Sequence, residues 1–270
     1  MYKLIAFDVD GTLYNSNKQI SKDTKMAILD AIDKGKEVVI SSGRCLKELE
    51  PILNEMSQIR YCIMTSGAIV YDCKEKKEIY SCKLDIKYVQ KVLEVSQDLD
   101  TMVQIMMETS IFEKEKGKRM VDYGMAVYQS MFDEIAIFVE DIYEYYNQNP
   151  FCVDKINIYH RNEKDREISY SKLKDLPMSL KYSEQTSIEC SNISVNKGIG
   201  LKKLCDYLDI DIKDTIAVGD GDNDMDMLKI AGLSIAMGNA NENIKSICDV
   251  IVSDNDHDGC EEAIYDYLLL

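Results

Sequence analysis

The chain has 270 residues, of which 46% are hydrophobic, and its formal net charge is −16. The apolar fraction is sufficient for the core of one large domain or two modest domains. This excess of acid argues against general nucleic-acid binding, which needs clustered Lys and Arg to neutralise phosphates. The N-terminus does not resemble a signal peptide, and the apolar runs are too short to span a bilayer. We therefore expect neither nucleic acid nor a membrane as a partner.

The nine cysteines are scattered, and no two of them form a CxxC pair. This spacing argues against a zinc ribbon or a thioredoxin-like motif. An odd number of dispersed cysteines is typical of reduced, mostly buried thiols. We therefore expect a cytoplasmic protein. We also expect a monomer or a weak homodimer.

The first 82 residues predict strands that alternate with helices. Residues 3–8 are apolar on both faces, which is typical of a buried parallel strand. A helix is predicted at 21–34, with Ser21 as its N-cap and Gly35 as its stop signal. The next predicted elements are a strand, a helix, a strand and a hairpin, at residues 36–42, 46–56, 61–66, and 68–72 with 78–82.

From residue 83 to residue 186 the chain is richer in Tyr, Met, Lys and Glu, which indicates a separate compact α+β unit. Its predicted helices are 86–99, 126–146 and 163–176. Its predicted strands are 102–107, 110–114, 154–159, 178–183 and 187–190.

After this segment the alternation of strands and helices resumes. The predicted helices are 198–208, 225–231, 242–246 and 259–269, and the predicted strands are 215–218, 233–237 and 250–252. Alternation of this kind predicts a doubly wound parallel sheet. The predicted fold is a Rossmann-like α/β core formed by residues 1–82 and 187–270, interrupted by an α+β domain at 83–186.

Acidic side chains follow two of the predicted core strands, where ligands bind in open parallel sheets. Asp8 and Asp10 are two residues apart on extended chain, so their carboxylates point the same way. Asp220 and Asp224 follow the strand at 215–218. Four acids at one sheet edge need a cation, and oxygen ligands without clustered His or Cys indicate Mg²⁺.

Simpler interpretations exist for these acids. Asp10 and Gly11 form an ordinary turn dipeptide, and Asp222, Asn223 and Asp224 could cap the following helix. Capping is the preferred interpretation for Asp222 and Asp226. A calcium loop starting at Asp220 fails, because its sixth and twelfth positions are Met and Ala. The segment DNDHDG at 254–259 also lacks the final Glu and is interpreted as a solvated loop.

Two further features suit an anion. Lys197 begins a predicted helix with Asn196 as a candidate cap, so lysine and helix N-terminus together would attract an anion. Ser42 and Gly43 offer a hydroxyl and accessible N–H groups at a strand–helix junction. Taken singly, a lysine reaching towards water and a capping serine explain the same residues.

Four segments, in their order along the chain, resemble the motifs of the haloacid dehalogenase (HAD) superfamily of phosphohydrolases. They are DVDGT at 8–12, Ser42 followed by Gly43 and Arg44, Lys197, and GDGDND at 219–224. An inserted α+β domain between the second and third motifs resembles the mobile cap of the Cof-type branch, subfamily IIB. The resemblance covers essentially the whole chain. One departure is Ser66, at a place where this branch usually has asparagine.

The resemblance implies Mg²⁺-dependent hydrolysis of small phosphate esters, such as sugar or cofactor phosphates, through an aspartyl-phosphate. Asp8 would be the nucleophile and Asp10 the general acid and base. Lys197 would act with them by stabilising the phosphoryl oxygens. The remaining implied roles are Mg²⁺ binding by Asp8, the Asp10 carbonyl, Asp220 and Asp224, and phosphate or substrate binding by Thr12, Ser42, Gly43, Arg44 and Asn223.

Two other functions fit the same scaffold. In a phosphomutase or phosphotransferase the phosphoryl group would pass to a sugar hydroxyl instead of water. A non-catalytic metabolite-binding protein would be expected to have lost one of the motif residues, all of which are present here.

Overall fold

The structure is a computed structural model that describes residues 1–270. It contains fourteen strands, in chain order β1 Leu4–Phe7, β2 Glu37–Ser41, β3 Tyr61–Met64, β4 Ile69–Asp72, β5 Lys77–Ser81, β6 Thr101–Met106, β7 Ser110–Glu113, β8 Ile137–Val139, β9 Lys155–His160, β10 Met178–Tyr182, β11 Ser187–Asn192, β12 Thr215–Gly219, β13 Leu233–Ala236 and β14 Val250–Ile251.

The α-helices are α1 Lys22–Asp33, α2 Leu46–Glu55, α3 Ile86–Gln97, α4 Lys114–Gly117, α5 Gln129–Ile135, α6 Ile142–Gln148, α7 Glu163–Leu173, α8 Lys197–Leu208, α9 Met225–Ile230, α10 Glu242–Ile247 and α11 Gly259–Ala263. The last helix continues as a π-helix at Ile264–Leu268. None of these helices has the length and apolar character needed to cross a membrane.

The chain divides into two compact units. The first comprises Met1–Arg44, Pro51–Ser81 and Asn196–Leu270, and the second comprises Cys45–Glu50 and Cys82–Val195.

The first unit is built on an eight-stranded sheet in the order β14-β13-β12-β1-β2-β3-β4-β5. The first six strands of this order are parallel, and β4 and β5 join antiparallel at one edge. Leu4 and Ala6 of β1 pack with Leu201 and Leu204 of α8 on one face, while α1 contacts β2 and α11. The predicted Rossmann-like α/β fold is therefore confirmed.

The ends of two helices follow directly from the sequence. The Ser21 side chain accepts a hydrogen bond from the Thr24 amide at the start of α1. Asn196 does the same for the Ile199 amide at the start of α8. Each cap satisfies an amide that has no partner within its helix. Both predicted caps are confirmed, and Lys197 is thereby fixed as the first residue of α8.

The second unit is a six-stranded sheet in the order β10-β11-β9-β6-β7-β8. All its neighbours are antiparallel except β7 and β8, which are parallel. Alternate residues of the central strands are apolar and pack with α3 and α7 in one cluster, which includes Val103, Ile105, Ile156, Ile158, Ile188, Val89, Val92 and Leu173.

Two sequence-based predictions in this unit are wrong. The helix predicted at 126–146 is interrupted by β8, because Ile137 and Phe138 pair with Ile111 and Phe112 of β7. The predicted domain boundary at residue 186 is also displaced. Because β11 hydrogen-bonds to β9 and β10, the unit extends to Val195.

His160 is a buried titratable group at the end of β9. Its Nδ1 lies 2.9 Å from the Thr186 carbonyl oxygen, and its Nε2 lies 2.8 Å from Ser169 Oγ. Because a carbonyl only accepts, Nδ1–H donates to it, and Nε2 accepts from the serine hydroxyl. Burial lowers the pKa of His160, although Asp165 opposes this and Arg166 reinforces it.

We predict that His160 makes stability depend on pH. Below its usual pKa of about 6.5 the unfolded chain takes up a proton that the folded chain resists, so the free energy of unfolding falls as the pH falls. The slope contributed by one proton is at most about 1.4 kcal/mol per pH unit. Urea unfolding between about pH 5 and pH 7.5 measures it.

In this experiment, the free energy of unfolding of His160→Asn is expected to fall less steeply with falling pH than that of wild type. The control is His257→Asn, because His257 is exposed and its hydrogen bond to Asp254 raises its pKa, so this substitution leaves the decline in place. Equal slopes in wild type and His160→Asn would contradict the prediction.

Candidate active site

The site lies where β1 and β12 end side by side. Phe7 pairs with Val218 in the parallel register, and the Asp8 amide donates to the Val218 carbonyl at 3.1 Å. The residues that follow each strand are therefore neighbours, although they are far apart in sequence. This register brings Asp8 beside the segment 219–224.

A buried lysine joins the two segments. Lys197 Nζ donates to Asp8 at 2.5 Å and to Asp224 at 2.6 Å, and all three side chains are buried. The second oxygen of Asp224 accepts from the amides of Asp220 and Gly221, each at 3.1 Å. Asp224 is thus held by the lysine and by the backbone, and it fixes the turn that carries Asp220.

The charges in this cluster shift one another. Burial and the Asp224 charge raise the pKa of Asp8 to about 8, and the same two causes raise the pKa of Asp220 to about 6. Burial alone would lower the pKa of Lys197, but Asp224 and Asp8 outweigh it and raise the pKa. One lysine is therefore too little positive charge for three carboxylates, and a further cation would be attracted.

The oxygens of Asp8, Asp220 and Asp224 lie within 4.8 Å of one another. Carboxylate oxygens at this spacing, without nitrogen or sulfur donors, suit a hard divalent cation. Thr12 Oγ1 donates to Asp220 at 3.0 Å, so this hydroxyl orients a carboxylate of the cluster, and its binding of phosphate stays a prediction.

Gly11 is the tightest point of the first turn. Its φ is +81°, and a Cβ added there would lie 2.4 Å from Asp220 Oδ2. Glycine adopts this left-handed conformation without steric penalty. The DVDGT segment therefore needs glycine both for its conformation and for the close approach of Asp220.

The Asp10 carboxylate is not part of the cluster around Asp8. It accepts from Arg44 Nε at 2.9 Å and Nη2 at 2.8 Å, and from Lys18 Nζ at 2.9 Å. Burial opposes its ionisation, but the Arg44 and Lys18 contacts outweigh burial and lower the pKa of Asp10. The expectation that the Asp8 and Asp10 carboxylates share one point is therefore wrong, because Arg44 and Lys18 draw Asp10 aside.

Ser42 and Gly43 lie in the turn after β2. Ser42 is buried, and its Oγ accepts from the Arg44 amide at 3.2 Å, which leaves the hydroxyl hydrogen available to an acceptor. The Ser66 amide donates to the Ser42 carbonyl at 3.0 Å, so two turns that follow neighbouring strands are joined.

The turn at Thr65–Gly67 packs on the start of α8. A Cβ on Gly67 would lie 2.0 Å from the Asn196 carbonyl oxygen. Ser66 has φ +61° and ψ +24°, a left-handed conformation that asparagine tolerates better than most residues. The asparagine that the resemblance led us to expect here would tolerate the same conformation.

Asn223 and Asp222 are exposed. Asn223 Oδ1 lies above Gly221, where a Cβ would be 2.6 Å away, and it forms no hydrogen bond to Ser42. Asp222 does not cap the following turn, because it is the first residue of that turn and Gly221 is the N-cap. Asn223 is therefore near the cluster, and its binding of phosphate or substrate stays a prediction.

Sequence reasoning missed Lys18 as a partner of Asp10. They are eight positions apart, and a second turn at residues 15–18, in which Lys18 has a positive φ of 57°, brings them together. A lone lysine in a polar loop carries no pattern that could have identified it.

The sequence resembles a known family along almost its whole length. The family model for haloacid dehalogenase-like hydrolases matches residues 5–264, and the chain belongs to this family. The phosphatase YwpJ of Bacillus subtilis (strain 168) is 29% identical, over 95% of this chain and 96% of that protein. The 5-amino-6-(5-phospho-D-ribitylamino)uracil phosphatase YcsE of the same bacterium is also 29% identical, over 99% and 96%.

Solved structures give the same result. A haloacid dehalogenase-like hydrolase from Bacteroides thetaiotaomicron matches with a TM-score of 0.86 and 26% identity, covering 98% of this chain and 99% of that chain. A sugar phosphatase of HAD subclass IIB matches in fold, with a TM-score of 0.81 and 21% identity over 99% of this chain and 100% of that chain. The protein is a Cof-type HAD phosphatase, a phosphoric monoester hydrolase.

We predict that Gly11→Ala and Gly35→Ala have different effects, although both glycines have positive φ. At Gly35, where a Cβ meets nothing within 4 Å, alanine costs about 1 kcal/mol of stability from backbone strain alone. At Gly11 the same strain is joined by the collision with Asp220, so the loss is larger.

Urea unfolding compares the two stabilities, and release of phosphate from an ester compares the two activities. Only Gly11→Ala is expected to lose most of the activity, since only that Cβ displaces Asp220. Similar activity in the two variants would show that the close approach of Gly11 to Asp220 is unimportant.

Proposed function

We propose that this phosphatase is Mg²⁺-dependent and acts through an aspartyl-phosphate formed on Asp8. The observation that supports this most directly is the buried lysine that contacts both Asp8 and Asp224, beside Asp220, at the carboxyl edge of the sheet. A nucleophile, a fixed positive charge and oxygen ligands for a cation are the components that phosphoryl transfer needs.

The residues present fit a magnesium ion. Asp8, Asp220 and Asp224 supply clustered carboxylate oxygens, and the Asp10 backbone carbonyl, two residues after Asp8, is a fourth candidate ligand. When bound, the ion would neutralise the nucleophile and substrate phosphate, so that the two anions can approach. It would also favour the ionised form of Asp8, which burial and Asp224 now oppose.

In the first half-reaction an Asp8 oxygen attacks phosphorus, and the bond from phosphorus to the leaving oxygen breaks. Lys197 stabilises the charge that develops on the phosphoryl oxygens, because its ammonium already lies against Asp8. The Ser42 hydroxyl and the Gly43 amide would donate to the same oxygens from the turn after β2. In the second half-reaction water attacks the phosphorus of the aspartyl-phosphate, the bond from phosphorus to the Asp8 oxygen breaks, and inorganic phosphate and free Asp8 are released.

Asp10 would serve both halves. Its contacts with Arg44 and Lys18 favour the ionised form, which is the base that accepts a proton from the attacking water. To protonate the leaving oxygen in the first half, Asp10 must exchange these contacts for that oxygen. Arg44 is thus assigned to orienting Asp10, in addition to the substrate-binding role expected for it.

Small phosphorylated metabolites are the proposed substrates. Two relatives from Bacillus subtilis, at 29% and 26% identity, are named as 5-amino-6-(5-phospho-D-ribitylamino)uracil phosphatases. The compound in these two names carries a phosphorylated ribityl chain, which is a polyol phosphate. Polyol phosphates should therefore be tested first in a substrate panel, followed by sugar phosphates and cofactor phosphates. We further propose a cytoplasmic enzyme, monomeric or weakly dimeric, with the inserted domain as its cap.

We predict that phosphate release requires both Mg²⁺ and Asp8. Asp8→Asn keeps the shape of the side chain but removes the nucleophilic oxygen, so turnover is expected to fall by at least about a thousandfold. The measurement is phosphate release from the panel of esters, with MgCl₂ and with EDTA. Wild-type protein is also incubated with a radiolabelled phosphate ester and quenched with acid. Label that stays on the protein is the expected sign of the aspartyl-phosphate.

The matched control is Asp206→Asn, the same chemical change at an exposed position of α8, which is expected to retain full activity. Circular dichroism and a melting curve show whether Asp8→Asn is folded. Activity of Asp8→Asn near that of wild type would overturn the assignment of the nucleophile, and full activity in EDTA would overturn the metal requirement.

A further inference from the structure

The loop at residues 237–241, which follows β13 and is here called the β13 loop, contacts both halves of the cluster. The Met237 amide donates to the Gly219 carbonyl at 3.1 Å, and the Asn241 amide donates to the Asp220 carbonyl at 3.3 Å. The Asn241 side chain reaches Asp222 at 3.2 Å. This end of the loop is therefore attached to the turn that carries Asp220.

The middle of the loop is attached to the first motif. Asn239 Nδ2 donates to the Gly11 carbonyl oxygen at 2.8 Å, and Asn239 Oδ1 accepts from the Asn255 amide at 3.1 Å. The Asn255 side chain in turn donates to the Tyr14 carbonyl at 2.8 Å. The side-chain amide of Asn239 thus connects the turn after β1, through its nitrogen, to the segment 253–258, through its oxygen.

We propose that Asn239 is a positioning residue, which holds the turn at residues 9–14 so that Asp8 and Asp10 face the reaction. The effect of Asn239 on the rate of catalysis rests on the proposed function. Gly11 leaves no space beside Asp220, so the turn cannot move towards that carboxylate. The Asn239 bond opposes movement in the other direction, so the two contacts together restrict the position of Gly11.

Within the turn, the Thr12 and Tyr14 amides both donate to the Val9 carbonyl, and the Leu13 amide donates to the Asp8 carbonyl. Towards other segments, Thr12 Oγ1 donates to Asp220, the Asp10 carboxylate accepts from Arg44, and the Cys260 thiol donates to the Thr12 carbonyl. Asn239 adds the contact at the Gly11 carbonyl. Asn239 supplies a donor for Gly11 and an acceptor for Asn255 from one short side chain, a combination that asparagine and glutamine share.

Asn239 is exposed, so its replacement by alanine opens no cavity and is expected to leave the melting temperature nearly unchanged. The control is Asn243→Ala, the same chemical change at an exposed position of α10. The measurements are kcat and KM for the best ester found, and hydrogen exchange of the peptide covering residues 9–14.

For Asn239→Ala we expect kcat to fall by about five- to a hundredfold with KM within about twofold, since misplacing reacting groups by less than an ångström costs rate. Exchange of the Leu13 and Tyr14 amides is expected to rise, because the turn opens more often. Asn243→Ala is expected to change neither quantity.

Unchanged exchange in Asn239→Ala would overturn the proposal, whatever the rate. Raised exchange with kcat within twofold of wild type would also overturn it, because the tether would then have no part in catalysis. If wild-type protein released no phosphate from any ester, the proposed function would fail, while the exchange measurement would still decide whether Asn239 holds the turn.

Discussion

A lysine ammonium buried between two carboxylates is the interaction on which the rest of the site depends. Lys197 is fully buried, and a buried charge is tolerated only when its partners are close and fixed. Asp8 and Asp224 meet that condition because β1 and β12 are neighbours in the sheet and α8 begins beside them. Removing either carboxylate would take a hydrogen-bond acceptor from the buried ammonium, so the geometry of the nucleophile and the stability of the core are coupled.

The same constraint explains the small residues around the site. Gly11 allows Asp220 to approach the first turn, and Gly67 allows the turn after β3 to approach the carbonyl that precedes Lys197. In both places an added Cβ would lie within 2.4 Å of an oxygen atom. The close packing beside the charged cluster therefore requires glycine in both turns.

Most of the first unit could be predicted from the sequence, because its strands are apolar on both faces and its helices carry clear caps, as Ser21 and Asn196 show. The grouping of Asp8, Lys197, Asp220 and Asp224 followed from the rule that ligands bind at the carboxyl ends of parallel strands. The partners of Asp10 and Thr12 could not be predicted, because turn geometry and side-chain rotation decide them. The edge strand β8 was missed because three residues between two helices carry too little periodicity.

The parallel pairing of β1 with β12 also has a consequence for biosynthesis. Leu4 finds its partner Thr215 only after about two hundred further residues have been made, which takes on the order of 10–40 s at ordinary rates of translation. During this interval the nucleophile strand has one of its long-range neighbours missing, while most of the second unit is already complete in the nascent chain. Long-range pairing of this kind slows folding, so the catalytic centre is assembled last.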